Sequence, residues 1–220
     1  MPQPAQTYDQ PDKRAARLFE LGLEERTIEE AVIRGLSERQ TCTPFHPPSY
    51  PGTTQWAETH AALRQLLAPA SWTPCDRRNY SRVLSPNERI AITVATGDLH
   101  TGDIGLVEPA TRYPKGPATR DAVEDNQLSL LPLVPSEDPE ADEETIVAQT
   151  WILLLATDEQ ELVYELSLAA EQDGEGRVVA WSERIIFPPI EIAALPARDS
   201  DDADDDEDDS GDIDVPIERI

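Results

Sequence analysis

The segment GDLHTGD, residues 97–103, places a histidine between carboxylates. Asp98, His100 and Asp103 follow directly after a run of alternating apolar side chains. A histidine flanked by carboxylates has the groups that a general base or a metal site requires. Polar residues also collect in loops after strands for reasons unrelated to chemistry. With Lys115 further along, these residues are the candidates for an enzyme or a ligand-binding site on the 97–120 loop.

A basic island, TRYPKGPATR, covers residues 111–120. It contains Arg112, Lys115 and Arg120 beside Tyr113. Cations next to a glycine that leads into a helix N-terminus suit a phosphate or nucleotide. The alternative is a solvated loop whose charges balance nearby acids.

The residue types that zinc prefers occur as Cys42, His46, His60 and Cys75. Their spacings fit no compact zinc knuckle, and His60 lies in an amphipathic helical pattern, so we interpret them as side chains without a metal. The sequence has no nucleophile elbow and no glycine-rich phosphate loop. We therefore predict no metal and no cofactor, and favour a non-catalytic role.

The N-terminal third of the chain is interpreted as helical. Residues 1–11 contain three prolines and are expected to be a flexible lead. Apolar side chains then recur at helical spacing through residues 12–68. The predicted helices cover residues 12–22, 27–39 and 53–68. Four prolines in residues 41–52 predict an extended connector between the last two of them.

Beyond residue 72 the apolar period changes to that of β-strands. We predict a β-hairpin at 79–96, a long loop and short helix at 97–126, an acidic loop at 127–144 and a three-stranded meander at 146–187. All four tryptophans fall in periodic elements and are interpreted as packing residues. The expected fold is a single α+β domain over 12–195. Its antiparallel sheet would have about five strands, with the N-terminal helices packed on one face.

The chain is strongly acidic, with 44 acidic and 18 basic side chains and a net charge of −26. Eleven acids and no base occur in residues 199–214, so residues 196–220 are predicted to be a disordered acidic tail. An acidic protein repels nucleic acid and anionic membranes and attracts basic proteins. With no signal peptide and no apolar run of 18 residues, we expect a cytoplasmic protein.

A short peptide at the start of the acidic loop has the sequence Gln127-Leu128-Ser129-Leu130-Leu131. It resembles the peptide by which bacterial replication and repair proteins dock on the DNA sliding clamp. The resemblance implies that Gln127 is the polar anchor and that Leu130 and Leu131 form the apolar plug. Leu131 stands where that family usually has phenylalanine, which would weaken binding. The alternative is that the leucines, Leu128 included, pack under the sheet.

The acidic tail also invites comparison with known peptides. Its densest run is Asp204, Asp205, Asp206, Glu207, Asp208 and Asp209. It faintly resembles the tail of bacterial single-stranded-DNA-binding proteins but lacks their final phenylalanine. Its carboxylates would otherwise occupy a basic groove meant for phosphates, as a DNA mimic does, or would only solvate the chain.

From these features we predict a non-catalytic acidic interaction protein. Its partner would be a basic protein surface, such as a DNA- or RNA-handling enzyme or the sliding clamp. It would act as an inhibitor, of the kind that mobile elements carry against host defence, or as an accessory factor. Two alternatives remain open: a small enzyme or ligand-binding domain that uses the 97–120 loop, and a subunit of a larger assembly.

Overall fold

Eight strands in one mixed sheet and four helices make up the part of the chain that the computed structural model describes, residues 5–105, 107–129 and 148–194. The strands are β1 (Gln6–Tyr8), β2 (Thr73–Cys75), β3 (Arg82–Leu84), β4 (Ile90–Thr96), β5 (Gln149–Thr157), β6 (Glu161–Gln172), β7 (Val178–Ile186) and β8 (Ile190–Glu191). The helices are α1 (Pro11–Glu20), α2 (Glu25–Gln40), α3 (Tyr50–Leu67) and α4 (Pro117–Ser129). The fold class is α+β, as expected.

The sheet is mixed, so the expectation of an antiparallel, five-stranded sheet is wrong. Its strand order is β1-β7-β6-β5-β4-β3-β2, and β8 pairs with β6. Strands β4 and β5 are adjacent and parallel, with α4 between them in the sequence. Parallel neighbours require such a crossover connection. The period of the side chains predicts strands but not their direction, so this pairing was missed.

The first strand lies in the segment that was expected to be a flexible lead. Residues Gln6–Tyr8 pair in parallel with β7, in the register Gln6 with Glu183 and Tyr8 with Ile185. Helix α1 then starts at Pro11, still inside the predicted lead. Three residues are too few to show a β period. Their pairing covers the backbone groups that would otherwise line the outer edge of β7.

Helices α1, α2 and α3 share one hydrophobic core with the first face of the sheet. Strand β5 supplies Trp151, Leu153 and Leu155 to this core, and the helices supply Leu18, Ile28 and Leu63 among others. Successive side chains of a strand point to opposite faces, so the neighbours Ile152 and Leu154 belong to the second face.

The second face of the sheet is covered by α4, so the helices are not confined to one face. Val123 of α4 packs with Ile152, Leu154 and Trp181 in a separate cluster. Burial on both faces explains why β5 is apolar throughout rather than alternating.

Asn126 fixes α4 to the sheet. Its Nδ2 donates to Thr150 O (2.9 Å) and Ala169 O (2.8 Å), and its Oδ1 accepts from Thr150 N (2.7 Å). The residue is fully buried where β6 is irregular, at the register shift beside Ala169. The sequence predicts the helix end near Asn126, whereas the helix continues to Ser129. An asparagine is a common helix stop, but here its side chain pairs with strand backbone instead.

A buried ion pair joins β6 and β7 on the second face. Glu165 is 0% exposed and Arg184 is 3% exposed, with Nη2 of the arginine 2.5 Å from Oε2 of the glutamate. Ser167 Oγ donates to Glu165 Oε1 (2.7 Å). The loop after β4 joins this network, because Gly102 N donates to Glu165 Oε2 (2.9 Å) and Arg184 Nη2 donates to Asp103 O (3.0 Å). The ion pair therefore fastens that loop to the sheet.

Candidate functional site

The candidate site lies where β4 and β5 end. Because the two strands are parallel, their carboxyl ends, Thr96 and Thr157, reach the same edge of the sheet. Ligand sites in α/β sheets commonly lie at the carboxyl ends of parallel strands. Two neighbouring cavities open at this edge, one lined by cations and one by carboxylates.

The first cavity, which we call the cationic cleft, has a volume of about 480 Å³. Three positively charged side chains line it, Arg39 from the end of α2 and Arg112 and Lys115 from the loop between β4 and α4. Residues around the start of α3, Ser49 and Gly52 among them, form another part of the wall.

Backbone hydrogen bonds hold the loop that carries two of these cations. Arg112 N donates to Thr96 O (2.8 Å), and Asp98 N donates to Ala110 O (3.0 Å), so the returning loop runs beside the end of β4. Lys115 N donates to the carbonyl of Gly176 (2.7 Å) in the turn between β6 and β7. The cations thus stand on backbone that is fixed on two sides.

The three cations of the cleft have no carboxylate partner in the described part of the chain. Within residues 5–105, 107–129 and 148–194, Arg39, Arg112 and Lys115 form no ion pair. Seven other arginines of the same region do form ion pairs. Burial lowers the pKa of the Lys115 ammonium, because desolvation disfavours the charged form. The cleft therefore brings together three positive charges that no described carboxylate pairs with.

Trp56 and His60, on successive turns of α3, close the open edge of β4. Strand β3 pairs with β4 no further than Ile92, so the next backbone groups along that edge need other partners. Trp56 Nε1 donates to Val94 O (2.9 Å), and His60 Nε2 accepts from Val94 N (3.1 Å). Burial lowers the pKa of His60 to about 4, so its imidazole is neutral at pH 7. Trp56 is 38% exposed and lines the cationic cleft.

The second cavity, the acidic cavity, has a volume of about 510 Å³. Its carboxylates are Asp98, Asp103, Asp158 and Glu161. Arg112 and Thr157 line both cavities, so the two lie side by side along this edge of the sheet.

The four candidate catalytic residues do not converge on one point. Asp98 and Asp103 line the acidic cavity and Lys115 lines the cationic cleft, whereas His100 belongs to the lining of neither. His100 Nδ1 lies 3.6 Å from Asp103 Oδ2, and His100 N donates to Asp98 Oδ1 (3.0 Å). These contacts are local to the loop. The geometry therefore favours binding over acid–base catalysis centred on His100.

The predicted partner-binding residues are described only in part. Gln127 and Leu128 lie in the last turn of α4, and Gln127 Nε2 donates to Ala170 O (2.6 Å). Docking on a clamp as an extended peptide would require this bond to open. Leu130, Leu131 and the tail acids Asp204–Asp209 lie outside the described residues, so the clamp and tail hypotheses stay predictions.

Each of the four candidate zinc ligands contacts another residue of the fold, and the contact of His60 with Val94 is described above. Cys42 Sγ lies 3.8 Å from Glu38 O, and the ring of His46 stacks on Tyr50 at 4.6 Å. Cys75 lies on β2, 3.9 Å from Nη2 of Arg82. Among the described residues, no three His, Cys, Asp or Glu side chains are grouped so as to hold a metal ion.

Several residues of the site were not predicted from the sequence. Arg39 looks like an ordinary cation in the last turn of a helix, and only the tertiary fold brings it to Arg112. The interpretation of tryptophans as packing residues is confirmed for Trp72, Trp151 and Trp181, which are buried, but Trp56 also lines the cleft. The basic island was the useful sequence signal for this cleft. The helix N-terminus that lines the cleft is that of α3, however, and not that of α4, which follows the island in the sequence.

The described part of the chain contains no helix that is both long and apolar enough to cross a membrane.

Comparison with protein-family models, with curated proteins and with solved structures found no match to the chain. Fold and site therefore define the class by themselves. It is an α+β protein with a mixed sheet and a cation-lined cleft at the carboxyl ends of two parallel strands.

Proposed function

We propose that the protein binds an anionic small molecule in the cationic cleft. The observation that carries the proposal is the set of three cations, Arg39, Arg112 and Lys115, which have no ion-pair partner among the described residues and surround one cavity of about 480 Å³. A cavity of this size falls within the range of ordinary ligand pockets. This is the ligand-binding alternative that the sequence left open for the 97–120 loop.

Electrostatics support an anion as the missing partner. At an effective dielectric constant of about 20, two opposite unit charges about 4 Å apart attract by roughly 4 kcal/mol. The start of α3 adds the positive end of an 18-residue helix to the wall of the cleft. Burial already disfavours the charged form of Lys115, and a bound anion would favour it again. A phosphate or a carboxylate fits these groups.

Arg112 provides the first test, by calorimetric titration with inorganic phosphate and pyrophosphate. Arg112→Gln should weaken binding about 10- to 100-fold, because a hydrogen bond to a charged group contributes about 1.5–3 kcal/mol. The control is Arg120→Gln, which removes the same charge from the same basic island but lies on the exposed side of α4, away from the cleft. It should change the affinity less than 3-fold, as expected for a distant exposed charge at about 0.15 M salt. Equal losses in the two variants, or no binding by the wild type, would refute the proposal.

A second proposal, that the protein also binds a basic protein partner, is supported by its excess of acids. The described residues carry 26 acidic and 16 basic side chains, and 18 further acids lie elsewhere in the chain. Such a field accelerates encounter with positively charged surfaces. We propose a DNA- or RNA-handling protein as the partner, with the sliding clamp as the specific candidate for the Gln127 peptide.

The clamp hypothesis is tested by titrating purified bacterial sliding clamp with the full chain. Leu130→Ala and Gln127→Ala should each weaken binding by about 10-fold or more if the peptide docks, because buried anchor residues dominate such contacts. Ala118→Ser, a small change on α4 outside the peptide, is the control. Unchanged affinity in both peptide variants would exclude clamp docking and leave the acidic segments as the proposed contact.

A further inference from the structure

We infer that the ligand of the cationic cleft has a second end, rich in hydroxyl groups, that enters the acidic cavity. The ligand class is a phosphorylated polyol, of which a sugar phosphate is the simplest member. This inference rests on the proposed anion binding and adds to it the identity of the non-ionic part of the ligand.

The two cavities are adjacent, which is the first argument. Arg112 and Thr157 belong to the lining of both, so a molecule held by Arg112 in the cationic cleft is already at the mouth of the acidic cavity. The cavities have volumes of about 480 and 510 Å³, and a monosaccharide phosphate is smaller than the two together. One ligand can therefore contact both.

The chemistry of the acidic cavity is the second argument. Ionised carboxylates only accept hydrogen bonds, so this cavity repels a phosphate and attracts hydroxyl or amino donors. Asp98 Oδ1 accepts from His100 N, and Asp158 Oδ1 accepts from Gln160 N (2.7 Å) and Glu161 N (2.9 Å). The backbone thus holds these two carboxylates in place while leaving their second oxygens for a ligand.

A buried hydroxyl without a hydrogen-bond partner in the described part of the chain lies in the same wall. Thr101 is 2% exposed and lines the acidic cavity, and its Oγ1 has no hydrogen-bond partner among the described residues. The hydroxyl lies against Gly97, where an added Cβ would stand 2.0 Å from it. Buried polar groups almost always have a partner, and an unpaired one requires an explanation. The oxygen is covered by Gly97, and after rotation about χ1 toward the cavity it would find that partner in a hydroxylated ligand.

The opposite charges of the two cavities would orient such a ligand. Its phosphate would face Arg39, Arg112 and Lys115, and its hydroxyls would face Asp103 and the neighbouring carboxylates. Inorganic phosphate would use only the first set of contacts, and a free sugar only the second. The combined molecule should therefore bind more tightly than either part.

The experiment compares inorganic phosphate, ribose 5-phosphate and ribose by calorimetric titration of the full chain. We expect ribose 5-phosphate to bind at least 10-fold more tightly than inorganic phosphate, and ribose to bind weakly. The double variant D103N/E161Q should reduce the ratio of the two phosphate affinities to below about 3. The control Glu159→Gln removes an exposed charge from the turn between β5 and β6. Glu159 does not line the cavity, so this variant should leave the ratio unchanged.

The outcomes distinguish failure of this inference from failure of the anion-binding proposal. If neither phosphate compound binds the wild type, the anion-binding function and the inference both fail. If inorganic phosphate binds as tightly as ribose 5-phosphate, or if D103N/E161Q leaves the ratio unchanged, anion binding stands and the inference is overturned. A circular dichroism spectrum of each variant, matched to that of the wild type, ensures that a lost ratio reflects the site rather than the fold.

Discussion

Glu165→Gln is expected to lower the free energy of unfolding by about 3–5 kcal/mol, the cost of breaking a buried ion pair by removing one charge. Glu165 and Arg184 are almost fully buried, and Arg184 has no other carboxylate in the described ion pairs. The neutral amide would leave the guanidinium charge uncompensated in the interior. Denaturation in urea with fluorescence detection measures the loss.

Two further variants distinguish charge pairing from general disturbance of β6. The control Glu171→Gln changes an exposed glutamate on the same strand and should cost less than about 0.5 kcal/mol. The double variant E165L/R184M should cost less than the sum of its single changes, because it leaves no isolated buried charge. If Glu165→Gln lowered the free energy of unfolding by less than about 1 kcal/mol, the ion pair would not be an important source of stability for β6 and β7.

The stability of the protein is expected to fall by roughly 2–3 kcal/mol between pH 7 and pH 4.5 through His60 alone. Burial lowers the pKa of this imidazole from 6.5 to about 4, and the positive charge of Arg64 acts in the same direction. Below pH 6.5 the unfolded chain binds a proton at His60 that the folded chain does not bind. Stability is therefore fully present above pH 6.5, falls as the pH drops, and stops falling below about pH 4.

The measurement compares urea denaturation of the wild type and of His60→Gln at several pH values from 4.5 to 7. The variant loses the hydrogen bond from Val94 N and should be less stable at pH 7, but its stability should vary less with pH by roughly 2–3 kcal/mol. His46→Gln, at an exposed position in the connection between α2 and α3, is the matched control for loss of an imidazole. Parallel pH curves for the wild type and His60→Gln would contradict the assigned pKa shift.

The local elements of the fold were predictable from side-chain periodicity. Alternation in residues 162–168 places Leu162, Tyr164, Leu166 and Leu168 on one face, and all four lie in the main core. The turn after Leu84 closes through Glu88 N, which donates to Ser85 O (2.9 Å), as a proline-containing turn should. These features depend on neighbours in sequence and need no knowledge of the tertiary fold.

The site itself depends on contacts between distant residues, and these are not encoded in any local pattern. Arg39 and Arg112 are 73 positions apart, and they line one cleft because α2 packs on α3 beside β4 and the loop after β4 returns to Thr96. Alternation likewise assigns Glu165 to the second face without showing that Arg184 meets it there. The overall charge also gave no indication of the site. A net charge of −26 points to basic partners, although the three cations of the cleft have no ion-pair partner among the described residues.

The most direct test of anion binding is to locate a bound anion. Crystals of the full chain grown with tungstate, a tetrahedral dianion of phosphate-like shape, would show it by anomalous scattering. Anion binding in the cleft predicts a peak between the guanidinium groups of Arg39 and Arg112 and the ammonium group of Lys115, and its loss in Arg112→Gln crystals. Tungstate bound only at other surface cations, with the cleft occupied by water, would contradict it.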